Sequence, residues 1–176
     1  MPLKRTALWS AVVVCTALTG WSAFAAEVGD ELADPKLQDT EEKQVELPDL
    51  GKKVLAIFYT DADVSDLNDP LADALKAKEY DKAVYRGMGV ANLKDSKAPN
   101  FIIRSVIRGK IEKYKTTILL DPDHLLATAW KLGDCNQDSV VIIVGKDKKV
   151  KHVQRGAIRG ADVDKIVALV DTLIKQ

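Results

Sequence analysis

The sequence predicts an α/β domain, with a mixed central sheet, helices on both of its faces, and a C-terminal hairpin followed by a closing helix. Three observations carry this. Lys53 to Thr60 (KVLAIFYT) and Ser139 to Val144 (SVVIIV) are near-continuous apolar runs of strand length, the pattern of strands buried on both faces. Helical stripes alternate with them along the chain, which points to a layered α/β sheet. The turn Gly145 to Lys149 leads into Val150 to Arg155, where apolar and polar residues alternate as they do in an antiparallel edge strand.

Taken in order, Glu27 to Leu50 is polar and turn-rich, with short extended stretches at Pro35 to Gln38 and Gln44 to Leu47. The first buried strand ends in a burst of helix-start residues, Asp61 to Pro70, in which Pro70 suits the first helical position behind Asp69. Leu71, Ala74 and Leu75 then form a stripe to about Lys78. Val84 to Leu93 is strand-like despite Gly87 and Gly89. In Pro99 to Lys115, residues Ile103, Val106, Ile107, Ile111 and Tyr114 share one helical face, and Gly109 is a point where this helix is expected to weaken. Thr116 to Leu120 reads as a strand. Asp123 is placed to cap a helix from His124 to Leu132, which Gly133 stops. Ala161 to Lys175 is amphipathic, with Val163, Ile166, Val167, Val170, Leu173 and Ile174 on one face.

Met1 to Ala25 has the three parts of a secretory signal: Lys4 and Arg5, an apolar segment from Ala7 to Thr19, and Ala23-Phe24-Ala25 as a cleavage site. The expected product is a single domain, residues 26–176, exported to the periplasm with no transmembrane segment. It carries 24 basic and 26 acidic residues, a net charge of −2. That balance lacks the basic footprint of a nucleic-acid binder. Cys15 leaves with the signal, so Cys135 is the only thiol of the mature chain and an internal disulfide is impossible. A domain of about 150 residues buries enough surface to fold without one.

The order of these cues resembles a thioredoxin fold in its peroxiredoxin-like form, and most nearly the YtfJ-like family of exported proteins. The cues are Val28-Gly-Asp30, Val45 to Lys52 leading into the first buried strand, Phe101-Ile-Ile-Arg-Ser105, and Ile118 to Asp123 before Ala129-Trp130-Lys-Leu132. The closing strand, hairpin and helix complete them. The resemblance spans residues 28–176 and implies a fold and a compartment, not a mechanism. It also marks a departure. Active thioredoxin-fold enzymes carry one or two cysteines where the first buried strand meets its helix, because the helix N-terminus stabilises a thiolate. Here Asp63-Val64-Ser65-Asp66 fills that place, and Asn136 to Ser139 holds no proline where those enzymes have a cis one.

The leading expectation is therefore a redox-inactive binding or scaffold module without a cofactor, whose open class of ligand is a periplasmic protein partner. Asp63, Ser65, Asp66, Arg104 and Ser105 are its candidate surface. One alternative is an atypical thiol oxidoreductase or peroxidase using Cys135, whose neighbour Asp134 would disfavour the thiolate. A second is a cation-responsive module using Asp61, Asp63 and Asp69, although a calcium loop would need glycine at Asp66 and glutamate at Ala72. For the acidic loop itself, helix capping is the plainer explanation. His124 and His152 stand apart, without partners at zinc-ligand spacing. The hairpin residues Lys146, Lys148, Lys149, Lys151 and Arg155 read as a solvated edge kept from pairing.

Overall fold

The computed structural model describes residues 26–176; the signal read in residues 1–25 lies outside them. A seven-stranded sheet forms the centre, in the order β2-β1-β5-β4-β3-β6-β7. Its strands are β1 (Leu37–Gln38), β2 (Gln44–Val45), β3 (Val54–Asp61), β4 (Tyr85–Asn92), β5 (Thr117–Asp121), β6 (Ser139–Val144) and β7 (Val150–Arg155). Strands β3, β4 and β5 run parallel, whereas β6 pairs antiparallel with β3 and β7 with β6. The chain order thus reverses at β3, with β4 on one side and β6 on the other. In open α/β sheets such a reversal, at the carboxyl ends of the strands, is where sites form.

Alternation of side chains across β3 explains the two cores. Leu55, Ile57 and Tyr59 face one layer, built from α3 (Leu125–Ala129), Trp130 and the N-terminal segment. Val54 and Ala56 face the other, under α1 (Asp69–Ala77) and α4 (Ala161–Leu173). The helix α2 (Asn100–Tyr114) packs Ile103 and Ile107 against Ala91 and Leu120. Trp130 anchors the N-terminal segment, because its indole N–H donates to the Ala33 carbonyl at 2.8 Å.

Four local expectations change. Helix α2 runs unbroken through Gly109, at a position where an added Cβ would meet only open space. Asp123 does not cap α3: His124 occupies the cap position at φ 57°, and the Asp121 carboxylate instead accepts from the backbone N–H groups of Leu125 and Leu126, at 2.7 and 3.0 Å. Asn68 precedes α1 without a capping bond, its side chain being used in tertiary contacts. The β7 edge is partly covered, since residues 29–32 pair with 148–150 and Val150 N–H donates to the Asp30 carbonyl at 2.9 Å. Of the hairpin cations, Lys151 pairs with Asp147 and Arg155 with Asp138.

Candidate functional site

Strand β3 delivers Asp61 to the carboxyl edge of the sheet, and a 3-10 turn (Ala62–Val64) carries the chain over it. Asp61 is fully buried. Its carboxylate accepts from the N–H of Asp63 at 2.9 Å and from the N–H of Gln137 at 2.7 Å. The second bond joins the loop before β6 to the end of β3. A proline nitrogen could not donate it.

Asp63 stands exposed two residues further on, in the place where the resemblance puts sulfur. Its carboxylate takes the Ser96 hydroxyl at 2.5 Å, the Lys97 N–H at 3.0 Å and the Gln137 side-chain amide at 3.3 Å. It therefore fastens together the β3–α1, β4–α2 and α3–β6 loops. The Ser96 hydroxyl, followed by the Lys97 N–H, holds its pKa below the ordinary carboxylate value.

The rest of this edge is a row of polar residues in register. Asp61 lies beside Asn92, and Asn92 beside Asp121; all three have 0% exposure. Asp121 also accepts from the Tyr59 hydroxyl at 3.2 Å, while burial pushes the Tyr59 pKa far up and the charge of Asp121 adds to it. Asn92 donates to Asp95 at 2.7 Å, and Asp95 meets His124 Nε2 at 2.8 Å. Beyond β3, the Thr60 and Ser139 hydroxyls are 2.7 Å apart. Asn68 donates to Ser139 Oγ and to the Gly156 carbonyl, both at 3.0 Å, and accepts from Ile158 N–H at 2.8 Å. Among the described residues, no buried side-chain polar atom lacks a hydrogen-bond partner.

Cys135 sits in the loop before β6, 2% exposed and on the α3 face of the sheet. Burial is the main influence raising its thiol pKa. The Arg155 guanidinium opposes this from 3.8 Å, and Asp138 and Asp134 reinforce it. The Sγ also lies 3.7 Å from the Gly133 carbonyl oxygen.

The other candidate residues are dispersed. Ser65, in the loop before α1, is half-buried, and Asp66 is exposed. Asp69 turns away from Asp61 and Asp63 to pair with Lys110 and Lys113 of α2. Arg104 reaches the β1–β2 turn, donating to Glu42 and to the Thr40 carbonyl, and Ser105 is exposed on the same helix. His152 contacts Gln154 at 3.3 Å. Among the described residues, no three Asp, Glu, His or Cys side chains converge as a metal site would require.

Sequence reasoning missed Asn92, Asp95 and Asp121 as members of this edge, and it read Asn68 only as a helix start. One signal was present: Asp61, Asn92 and Asp121 are each the polar residue ending a strand, and in a parallel sheet those ends share one edge.

Comparison with known proteins agrees with this architecture. A thioredoxin from Streptococcus pneumoniae, an exposed lipoprotein, superposes with a TM-score of 0.60 at 16% identity, covering 80% of this chain and 100% of that one. The thioredoxin domain of a thiol-disulfide oxidoreductase from Bacteroides vulgatus gives 0.60 at 16% identity, covering 83% and 99%. A peroxiredoxin-like protein from Aquifex aeolicus gives 0.59 at 13% identity, covering 85% and 88%. At such identities the likeness is one of fold. An uncharacterized protein of Haemophilus influenzae is 27% identical over 110 residues, covering 61% of this chain. The chain spans 59% of the length of that relative. Residues 38–173 match the family described as "Bacterial protein of unknown function (YtfJ_HI0045)". With that match spanning most of its length, on a thioredoxin-like α/β fold, the chain belongs to the YtfJ family.

Proposed function

We propose that this chain is exported to the periplasm, with cleavage after Ala25, and works there as a redox-inactive binding or scaffold module. One observation carries the reading: where a sulfur nucleophile would stand, Asp63 is engaged with Ser96, Lys97 and Gln137. A carboxylate forms no disulfide and no sulfenic acid. The only thiol in residues 26–176 is buried with a raised pKa, and the thiolate is the reactive form.

The test is an insulin-reduction and peroxide-consumption assay on the mature chain and on Cys135→Ser. The expected result is background turnover in both. Turnover by the parent that disappears in Cys135→Ser would overturn the reading in favour of a single-thiol oxidoreductase. That alternative draws its support from Arg155, whose charge near the sulfur favours the thiolate.

A further inference from the structure

A cavity of about 110 Å³ lies between α1 and α2, above β4 and β5. Phe58, Ala72, Ile103, Ile107 and Ile118 line it. Beneath α2, Gly89 and Ala91 of β4 form part of its floor, and the Ile118 side chain packs over Gly89. Val106 belongs to the apolar stripe of α2 yet is 38% exposed, because it borders this opening rather than a packed surface. The cavity is of the same order as an engineered apolar cavity of about 150 Å³ that admits benzene.

Tyr114 and Thr116 line the cavity and also a wider groove at the amino ends of β3, β4 and β5. That groove carries Lys53, Lys76, Lys82, Arg86 and Lys115 against Glu79. Asp49 pairs with Lys53 and Arg86. Lys76, Lys82 and Lys115 form no ion pair among the described residues. The ammonium groups of Lys113, Lys76 and Lys110 surround the Tyr114 ring at 4.5, 5.8 and 5.8 Å from its centroid. Lys110 pairs with Asp69, Lys113 pairs with Asp69 and Asp73, and Lys76, among the described residues, donates only to the Lys113 carbonyl. Lysines in a last helical turn complement the helix dipole, which accounts for Lys76 and Lys113. It does not account for Lys53, Lys82 and Arg86, which come from strands and loops in a span, residues 26–176, whose net charge is −2.

We infer that the cavity and the groove form one site for a small anionic amphiphile, with an apolar body of roughly six carbons in the cavity and a carboxylate or phosphate head at Lys76 and Lys115, the groove lysines beside Tyr114 that have no acidic partner among the described residues. Mostly apolar walls with a few polar groups, here Thr60, Ser65 and Asn68 at the carboxyl end and Asp69, Lys110 and Thr116 toward the groove, are the usual composition of a small-molecule site. The inference stands apart from the redox reading, so turnover in the insulin assay would leave it intact.

Calorimetric titration of the mature chain with phenylacetate, 2-phenylethanol and acetate tests it. Phenylacetate is expected to bind saturably and about tenfold or more tighter than either the neutral or the headgroup-only probe, a difference set by the apolar area and charge they lack. Val106→Trp, at a partly exposed position, should abolish phenylacetate binding while leaving the melting curve in place. Lys76→Glu with Lys115→Glu should remove the preference for the acid over the alcohol. Should Val106→Trp fail to fold, methyl NMR of the parent chain decides: the signals of Ile103, Ile107 and Ile118 should move with phenylacetate. No saturation, equal affinity for acid and alcohol, or shifts confined to other methyl groups would overturn the proposal.

Discussion

The two ends of the parallel strands are built on opposite plans. At the carboxyl end, Asp61, Asn92 and Asp121 form a buried row whose members meet backbone N–H groups, the Tyr59 hydroxyl and the Asp95 carboxylate. At the amino end, lysines gather around a groove with fewer acids than cations, next to an apolar cavity. The closed end is the one at which the sequence resemblance places the reactive corner of thioredoxin-fold enzymes. Polar groups bonded to one another hold loops together at the first end, whereas at the second Lys76, Lys82 and Lys115 have no acidic partner among the described residues.

Substitutions should separate the two plans, in descending order of effect. Asp121→Ala strips the partners from two helix N–H groups and a buried tyrosine hydroxyl, and is expected to cost about 3 kcal/mol in urea unfolding. A loss under about 1 kcal/mol there would mean the closed end is not structural. Asn68→Ala, which removes three bonds joining α1 to β6 and to the loop before α4, should cost about 2 kcal/mol.

Asp63→Ala should cost less than about 1 kcal/mol, because the carboxylate is exposed and screened. Its effect on pH dependence is more telling. Asp63 and Asp95 both have pKa values lowered in the folded chain. Their stabilisation is complete above the unfolded carboxylate pKa of about 3.9, and is lost as the pH falls through the lower folded values. Asp63→Asn should therefore flatten the acid limb of stability against pH below about pH 4, without changing it at neutral pH by more than about 1 kcal/mol. The smallest effect is expected for Arg104→Ala. Its ion pair with Glu42 lies on the surface, so thermal unfolding should register about 0.5 kcal/mol or less.

Much of the fold could be read from local chemistry. The apolar runs at β3 and β6 and the stripe of α4 each lie within one or two residues of the expected bounds, since burial on both faces or on one leaves a period in the sequence. Capping was harder to assign. Asp61, Asp63, Ser65, Asp66 and Asn68 before α1 are all good cap formers, but Asn68 turns to Ser139 and Ile158, and Asp61 caps the preceding turn. For α3, Asp123 is the nearer carboxylate in the chain and Asp121 the one that is used. A side chain with several bonding options takes the partner that folding brings closest, and a local pattern cannot rank those options.

Of the candidate site, the chain alone establishes that Asp61 to Asp66 hold no cysteine and that residues 26–176 hold a single thiol, because both are matters of residue identity. Tertiary structure decides what Asp63 holds, how deeply Cys135 is buried, which strand ends share one edge, and that Tyr114 joins a cavity to a basic groove. These depend on the order of strands in the sheet and on the packing of α1 and α2, relations between residues far apart in the chain, such as Val54 with Tyr85 and Leu55 with Val144, that no short-range period records.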